Sequence, residues 1–431
     1  MEIINNSKEK VIIVGTDIGA YPNSLETSMA ELEELVYADG AEVVGVATQN
    51  LDKFTSKYLI GTGKIKEIRD MVENLEADCV VFNDELSGIQ LRNLEKFFNE
   101  GKGFFDKKIK VLDRTNLILD IFALRATTYE GKLQVELAQL NYELPRLLGI
   151  DGWSRTGGGI GTRGPGEQII ETDRRRLLRE IETIKNKLKK AEKTRDTMRS
   201  RRVDNNISVV SLVGYTNAGK STLLNRLKSE DAKDVFVEDM LFATLDPNSR
   251  RGKLLNGREY ILSDTVGFVS KLPTKLIDAF KSTLEEIKYS DLILHVIDAS
   301  SDDLDIQYET TMKILRDLKI DGTKILTVFN KSDKIDMENL LIRPEYGDKR
   351  IYISAKYGDL TELLKSIEEN LPEKFKNVKM LIDYSQGALL SYIMDNHKVE
   401  NLEYTESGTK LNTTLTLEEY NKYKDYVIED V

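Results

Sequence analysis

The chain of 431 residues holds a single cysteine, Cys79, and only two histidines, His295 and His397. One thiol cannot build an internal disulfide framework or a cysteine metal cluster. Its setting in the apolar run Asp78-Cys79-Val80-Val81-Phe82 fits a reducing compartment. Two histidines this far apart do not suggest a zinc site. No uncharged apolar stretch approaches the roughly 18 residues of a membrane span, and the opening MEIINNSKEK lacks a signal peptide's apolar segment. A soluble, cytoplasmic protein without an integral membrane segment is expected, and a monomer in solution. What is present suffices for real cores. Hydrophobic residues make up 40% and charged residues 31%, and the length suggests about three domains at ~150 residues each.

A net charge of −11 argues against a general nucleic-acid coat, but the charge is segregated. Residues 145–203 carry 16 Lys and Arg against 8 Asp and Glu, leaving −19 for the rest. Such a run is either a solvated helix face or a basic arm on an acidic body.

An α/β multidomain fold is expected, with four parts. Residues 1–130 read as an N-terminal α/β domain: strands at 11–15, 41–48, 79–82 and 110–113 alternate with helices at 28–38, 64–75 and 89–98, the pattern of βαβ units around a mostly parallel sheet. Gly61-Thr62-Gly63-Lys64 lacks a phosphate loop's spacing and reads as a turn before a helix. Residues 131–204 change period. Leu133, Leu137, Leu140, Leu144 and Leu147, then Leu177, Ile181, Ile184, Leu188, Ala191, Arg195 and Met198, follow the 4-3-4-3 spacing of an antiparallel coiled-coil hairpin. Between the two series, residues 152–166 include seven glycines, too many for regular structure. Flanked by Arg146 and by Arg174, Arg175 and Arg176, this reads as a cationic tip. Trp153, Arg155, Gly157, Gly158, Gly159 and Arg163 are its candidate RNA contacts, with the three flanking arginines. A floppy linker is the alternative. Residues 205–372 return to α/β, with strands at 207–213, 260–262, 292–297, 325–329 and 351–353. Residues 373–431 form a small C-terminal α+β domain reading as strand, helix, strand, strand, helix, without a chemical motif.

The strongest chemistry lies at 214–222. Gly214-Tyr215-Thr216-Asn217-Ala218-Gly219-Lys220-Ser221 follows a strand, matches GxxxxGK[ST], and runs through Thr222 into a helix. Backbone N–H groups and the helix dipole can hold polyphosphate there. Lys220 suits the β- and γ-phosphates and Ser221 suits Mg²⁺. Asp264-Thr265-Val266-Gly267 follows another strand, so Asp264 can hold Mg²⁺ through water and Gly267 can offer its N–H to a γ-phosphate. In Asn330-Lys331-Ser332-Asp333, one carboxylate can accept both edge N–H donors of guanine, Asn330 can brace loop and base, and the Lys331 stem can stack. Ser354-Ala355-Lys356 brings the Ala355 N–H towards the guanine carbonyl. Thr244, within Phe242-Ala243-Thr244-Leu245-Asp246, is the natural switch ligand to Mg²⁺ and γ-phosphate. The order of these motifs, each after a strand, indicates a GTP-binding domain in which Lys220, Thr244 and Gly267 serve catalysis. A water-orienting glutamine is missing: the position after Gly267 is Phe268, which predicts slow intrinsic hydrolysis. Asn217 resembles the K⁺ ligand of potassium-activated GTPases.

Leu133-Gln134-Val135-Glu136-Leu137-Ala138-Gln139-Leu140, Gly157-Gly158-Gly159-Ile160-Gly161-Thr162-Arg163-Gly164-Pro165-Gly166-Glu167, the loop 214–222, Phe242-Ala243-Thr244-Leu245-Asp246-Pro247 and Asp264-Thr265-Val266-Gly267-Phe268 together resemble the HflX family of GTPases over roughly residues 10–370. The chain departs locally: Gly166-Glu167-Gln168-Ile169-Ile170-Glu171 stands where that family usually has Gly-Glu-Thr-Gln-Leu-Glu, and altered packing at that helix start is expected. The resemblance implies binding of the large ribosomal subunit and its RNA, with the glycine-rich tip towards the peptidyl transferase centre. It also implies hydrolysis of GTP to GDP and phosphate stimulated by that subunit, in splitting of stalled ribosomes or in large-subunit biogenesis. Two other readings stay open: an ATP-dependent RNA-remodelling enzyme working through the N-terminal domain, which lacks a phosphate loop, and a non-catalytic GTP-gated RNA-binding assembly factor.

The base-recognition assignment makes a direct prediction. Asp333→Asn shifts preference from GTP to xanthosine triphosphate in a competition binding assay; a variant still selective for GTP removes Asp333 from that role.

Overall fold

The computed structural model describes residues 8–19, 24–103, 106–148, 165–204, 207–228, 249–264, 267–268, 284–301, 303–320, 323–335, 346, 350–372, 375–397 and 399–430. In the helix 165–204, side chains are described for 172–191.

The first unit is a parallel sheet of β1 (Lys10–Asp17), β2 (Glu42–Asn50), β3 (Cys79–Phe82) and β4 (Lys110–Asp113), in the order β2-β1-β3-β4. Alternate residues of the apolar strands serve two cores. Val11, Ile13, Cys79 and Val81 meet α1 (Leu25–Ala38), α4 (Arg114–Arg125) and α5 (Tyr129–Leu148). Ile12, Val14, Val80 and Phe82 meet α2 (Thr62–Leu75) and α3 (Gly88–Phe98). Burial on both faces is why these strands read as unbroken apolar runs. Ser24 caps α1, Gly61 precedes α2, Ser87 and Gln90 form a capping box on α3, and Asp113 caps α4. Burial pushes the Cys79 thiol up to about 12, so it behaves as an apolar side chain rather than a nucleophile.

The helix α4 lies where no element was expected. Leu117, Ile118, Leu119, Ile121 and Phe122 are all buried, and the narrow solvent-facing stripe of Asn116, Asp120, Ala123 and Leu124 is half apolar, so little in the sequence betrays a helical period. Next, α5 presents two faces. Val135, Ala138 and Tyr142 pack on the first unit's core, while Leu133, Leu137, Leu140 and Leu144 meet Ile181, Ile184 and Leu188 of α6 (Pro165–Asp204). Those seven of the expected seam positions therefore meet, while Leu147, Arg195 and Met198 lie outside the described side chains, and one of the two helices is also bound to the α/β unit.

A correction concerns Arg146, expected in the cationic flank. Its guanidinium is buried and donates to Asp113 at 3.0 Å and to the Leu86 carbonyl at 2.8 Å, lying over the Tyr142 ring. Asp113 also accepts from the Tyr142 hydroxyl at 2.5 Å. The arginine's charge is committed to fastening α5 onto the end of β4. The tip residues Trp153, Arg155, Gly157, Gly158, Gly159 and Arg163 lie outside the described residues.

The next unit is a six-stranded sheet, β10-β9-β8-β5-β7-β6, parallel except for the antiparallel edge strand β6. Its strands are β5 (Ser208–Gly214), β6 (Ser249–Lys253), β7 (Glu259–Asp264), β8 (Leu292–Asp298), β9 (Lys324–Asn330) and β10 (Arg350–Tyr352), with α7 (Lys220–Leu227), α8 (Leu304–Asp317) and α9 (Thr361–Asn370). The sequence Ser249-Arg250-Arg251-Gly252-Lys253 is too polar to suggest β6, which forms by pairing with β7.

The C-terminal unit runs β11 (Phe375–Ile382), α10 (Gly387–Asn396), β12 (Val399–Thr405), β13 (Gly408–Thr416), α11 (Leu417–Tyr423) and β14 (Val427–Asp430). The sheet order β12-β13-β11-β14, with antiparallel pairs throughout, is the ferredoxin-like split-βαβ arrangement. Its final strand is a four-residue edge that the sequence pattern does not announce.

His295 illustrates what the G-unit core demands. On β8, its ring is buried against Tyr308 with centroids 5.2 Å apart, and neither ring nitrogen has a partner among the described residues. Burial, with the nearby Lys220 charge, pushes its pKa down to about 3. A folded pKa below the unfolded value means stability is fully present above about 6.5 and is lost as pH falls towards 3, at about 1.4 kcal/mol per pH unit. With only two histidines to assign, an NMR titration should show one ring unresponsive from about pH 8 to about pH 5.5. Titration of His295 near its ordinary value of about 6.5 would contradict the assignment.

Candidate nucleotide site

The carboxyl end of β5 opens into the loop 214–219. At Gly219, φ is +91° and a Cβ would lie 2.2 Å from Asn330 Nδ2, so only glycine fits. Asn217 adopts φ +59°, a left-handed conformation that asparagine tolerates better than most side chains. Lys220 opens α7, and its buried Nζ donates to the carbonyls of Gly214 at 3.0 Å and Tyr215 at 2.7 Å. Burial pushes this ammonium down to about 8, with Asp264 partly offsetting the effect. Thr222 follows on the same helix.

Ser221 and Asp264, both expected at Mg²⁺, lie side by side: the Ser221 hydroxyl donates to Asp264 Oδ2 at 3.0 Å, and Asp264 is fully buried. Two adjacent hard oxygens beside a phosphate loop match the donor chemistry of Mg²⁺. Among the described residues no cluster of three or more His, Cys, Asp or Glu could hold a metal by itself.

Gly267 sits against the loop. A Cβ there would lie 2.7 Å from Thr216 Cγ2 and 3.1 Å from Lys220 Nζ, so glycine is needed for the close approach. Phe268 is joined to the loop through its backbone: Thr216 N–H donates to the Phe268 carbonyl at 2.7 Å and Phe268 N–H to the Gly214 carbonyl at 3.2 Å. Its ring points away from the loop into a core with Val213, Leu284, Ile287, Ile293 and Ile314. The residue at the glutamine's place therefore anchors this segment. Thr265 and Val266, and the stretch Phe242, Ala243, Thr244, Leu245 and Asp246, lie outside the described residues.

At the end expected to take the base, Asn330 terminates β9 and ties three segments. Its Nδ2 donates to the Ala218 carbonyl at 2.8 Å, its Oδ1 accepts from Ala355 N–H at 2.8 Å, and its carbonyl accepts from Ala299 N–H at 2.9 Å. Ala355, expected to offer that N–H to a guanine carbonyl, donates it to Asn330 in this structure. Lys331, at φ +60°, has its ammonium held by Asp298 at 2.7 Å. Ser332 N–H donates to the Ile353 carbonyl at 3.0 Å, Asp333 is exposed beside it, and Ser354 caps the turn leading past Lys356. Sequence reasoning missed Asp298 and Arg226. The latter donates to the carbonyls of Ala355 and Lys356, both at 3.1 Å, and of Gly358 at 2.9 Å, lashing this turn to α7. An aspartate closing the apolar run of β8 was a signal for the first; nothing local pointed to the second. Arg174, Arg175 and Arg176 lie far along the chain on α6, where Arg176 pairs with Glu180 at 2.9 Å on an exposed face.

Because the Phe268 ring is core, Phe268→Gln should not create a faster hydrolase. It should instead destabilise this unit by about 3 kcal/mol, read as a lowered unfolding midpoint. A variant that is both faster and equally stable would refute that account.

Residues 26–123 match the family model described as GTP-binding GTPase N-terminal, 125–202 that of the GTP-binding GTPase middle region, and 209–331 that of a 50S ribosome-binding GTPase. The GTPase HflX of Caldanaerobacter subterraneus subsp. tengcongensis is 46% identical, covering 99% of this chain and 96% of its own. The GTPase HflX of Escherichia coli K12 is 40% identical over 88% of each chain. A GTP-binding protein of the archaeon Sulfolobus solfataricus, crystallised with GDP, is 25% identical, with a TM-score of 0.45 over 84% of this chain and 98% of that one. No helix among the described residues is long and apolar enough to cross a membrane. With near full-length identity to several HflX proteins and a phosphate loop in its strand–loop–helix setting, the chain belongs to the HflX family of GTPases.

Proposed function

We propose that this GTPase binds the large ribosomal subunit through its N-terminal unit and hairpin, and that this contact accelerates hydrolysis of GTP to GDP and phosphate. The purpose is to split stalled ribosomes or to complete large-subunit assembly in the cytoplasm. One observation carries the reading: the position from which a side chain could orient the attacking water is occupied by a core-buried phenylalanine. A GTPase so built relies on its partner to complete the site. The match of residues 209–331 to a 50S ribosome-binding GTPase model supports the identity of that partner, and the basic hairpin suits ribosomal RNA.

In this reading the loop 214–219 receives the β-phosphate on its N–H groups. Lys220 exchanges its carbonyl partners for β- and γ-phosphate oxygens, while Gly267 N–H faces the γ-phosphate. Ser221, Thr244 and, through water, Asp264 would hold Mg²⁺, which would supply positive charge beside the phosphate oxygens. Asn217 is a candidate K⁺ ligand. Asn330, Lys331, Asp333 and the turn 354–356 hold guanine. Trp153, Arg155, Arg163, the glycines at 157–159 and Arg174–Arg176 contact RNA. ATP-driven remodelling by the N-terminal unit is less well supported. The crevice at the carboxyl ends of β1 and β3, where such sheets take ligands, is filled by Thr16 bonded to Asp84 and by Asn83 bonded to Ser28.

The test is GTP turnover with and without purified large subunits, in potassium and in sodium buffer. Stimulation is expected, greater in potassium, lost in Lys220→Ala, and lost when residues 157–166 are replaced by a short turn although GTP binding persists. Absence of stimulation by any ribosomal particle rejects the proposal. Single turnover that leaves bound GTP intact favours the non-catalytic reading.

A further inference from the structure

The geometry points to Tyr215 as a positioning residue for the phosphate loop, held from the N-terminal unit by Glu31. The Tyr215 hydroxyl donates to Glu31 Oε1 at 2.5 Å across 184 residues of sequence. The other carboxylate oxygen accepts from Arg114 Nη2 at 2.5 Å, with Glu31 10% and Arg114 3% exposed in their side chains. Arg114 in turn donates to Asn83 Oδ1 at 2.8 Å, and Asn83 Nδ2 to Ser28 Oγ at 2.8 Å. The chain of bonds thus begins at the end of β3, at the switch point of the first sheet, and ends on the second residue of the phosphate loop. That edge, which in doubly wound sheets accepts a ligand, here accepts the neighbouring unit's loop.

Three features make this more than a surface contact. The Tyr215 ring packs against cores of both units, so its position is set from two sides. Its carbonyl is one of the two acceptors of Lys220 Nζ, at 2.7 Å, so moving the tyrosine moves the partner of the phosphate-binding lysine. A nearly buried carboxylate receiving hydrogen bonds from a guanidinium and a phenol is well satisfied, and charge-assisted bonds of this kind are about twice as strong as neutral ones. The N-terminal unit therefore preorganises the loop's grip on the phosphates. Nucleotide affinity and the docking of that unit are linked by one coupling free energy, acting equally in both directions. A partner that draws the N-terminal unit away also withdraws Glu31 from Tyr215.

The test uses the isolated full-length protein, without ribosomes, so it stands apart from the proposed ribosomal role. Release of a fluorescent GDP analogue is followed by stopped flow in Tyr215→Phe, in Glu31→Asp and in the double variant. Tyr215→Phe keeps the ring and loses the donor. Glu31→Asp keeps a carboxylate for Arg114 but draws it back by one methylene, so the buried arginine keeps a counter-charge. Each single variant should release GDP at least about fivefold faster, and the double variant no faster than the quicker single. Unchanged release in Tyr215→Phe overturns the inference. So does wild-type release in Glu31→Asp, or a double variant whose effect is the product of the two, because either outcome makes the tyrosine's influence local to the loop.

Discussion

The carboxyl end of β5 is the point on which this molecule turns. A loop of this kind can hold polyphosphate on a row of backbone N–H groups only if it is already shaped. Here it is gripped on three sides. Asn330 holds the Ala218 carbonyl from the base-binding end, Phe268 pairs its backbone with Gly214 and Thr216, and Glu31 reaches Tyr215 from another unit. Each grip belongs to a different segment of chain, so nucleotide, hydrolysis segment and N-terminal unit all act on a single short turn.

The same economy explains Phe268. A residue that anchors its segment by burying a ring cannot also reach out to a water molecule. In this site the anchoring role prevails, and under the proposed function the water-orienting role falls to the docking partner. Lys220 is similarly constrained: buried and satisfied by two carbonyls, it can move to a phosphate only if the new oxygens are better acceptors than the old, which anionic oxygens are.

Much of this could be read from residues in order. The central strands showed as apolar runs because both faces of the two parallel sheets are covered, and the hairpin seam showed as a heptad. Asn330 and Asp264 were recognisable because a polar residue that closes a buried strand is seldom there for packing. What stayed hidden depends on contacts without local pattern. The helix α4 faces solvent only along a narrow stripe that is half apolar, β6 exists by pairing alone, and β14 is a short edge. Arg146 looked like part of a basic flank until Asp113 appeared beside it. Glu31 and Tyr215 have no sequence relationship that would suggest their meeting.

The long helix α6 has one mechanical corollary. It spans 40 residues, about 60 Å at 1.5 Å per residue, and ends at Asp204, with only residues 205–207 before β5 begins at Ser208. A sideways push of about 5 Å at its far end is a swing of roughly 5° about its base, given that length. Three residues of sequence separate the end of this helix from the strand that carries the phosphate loop. A helix of that length ending so near in sequence to the strand bearing the phosphate loop leaves little chain in which the one could be displaced without the other.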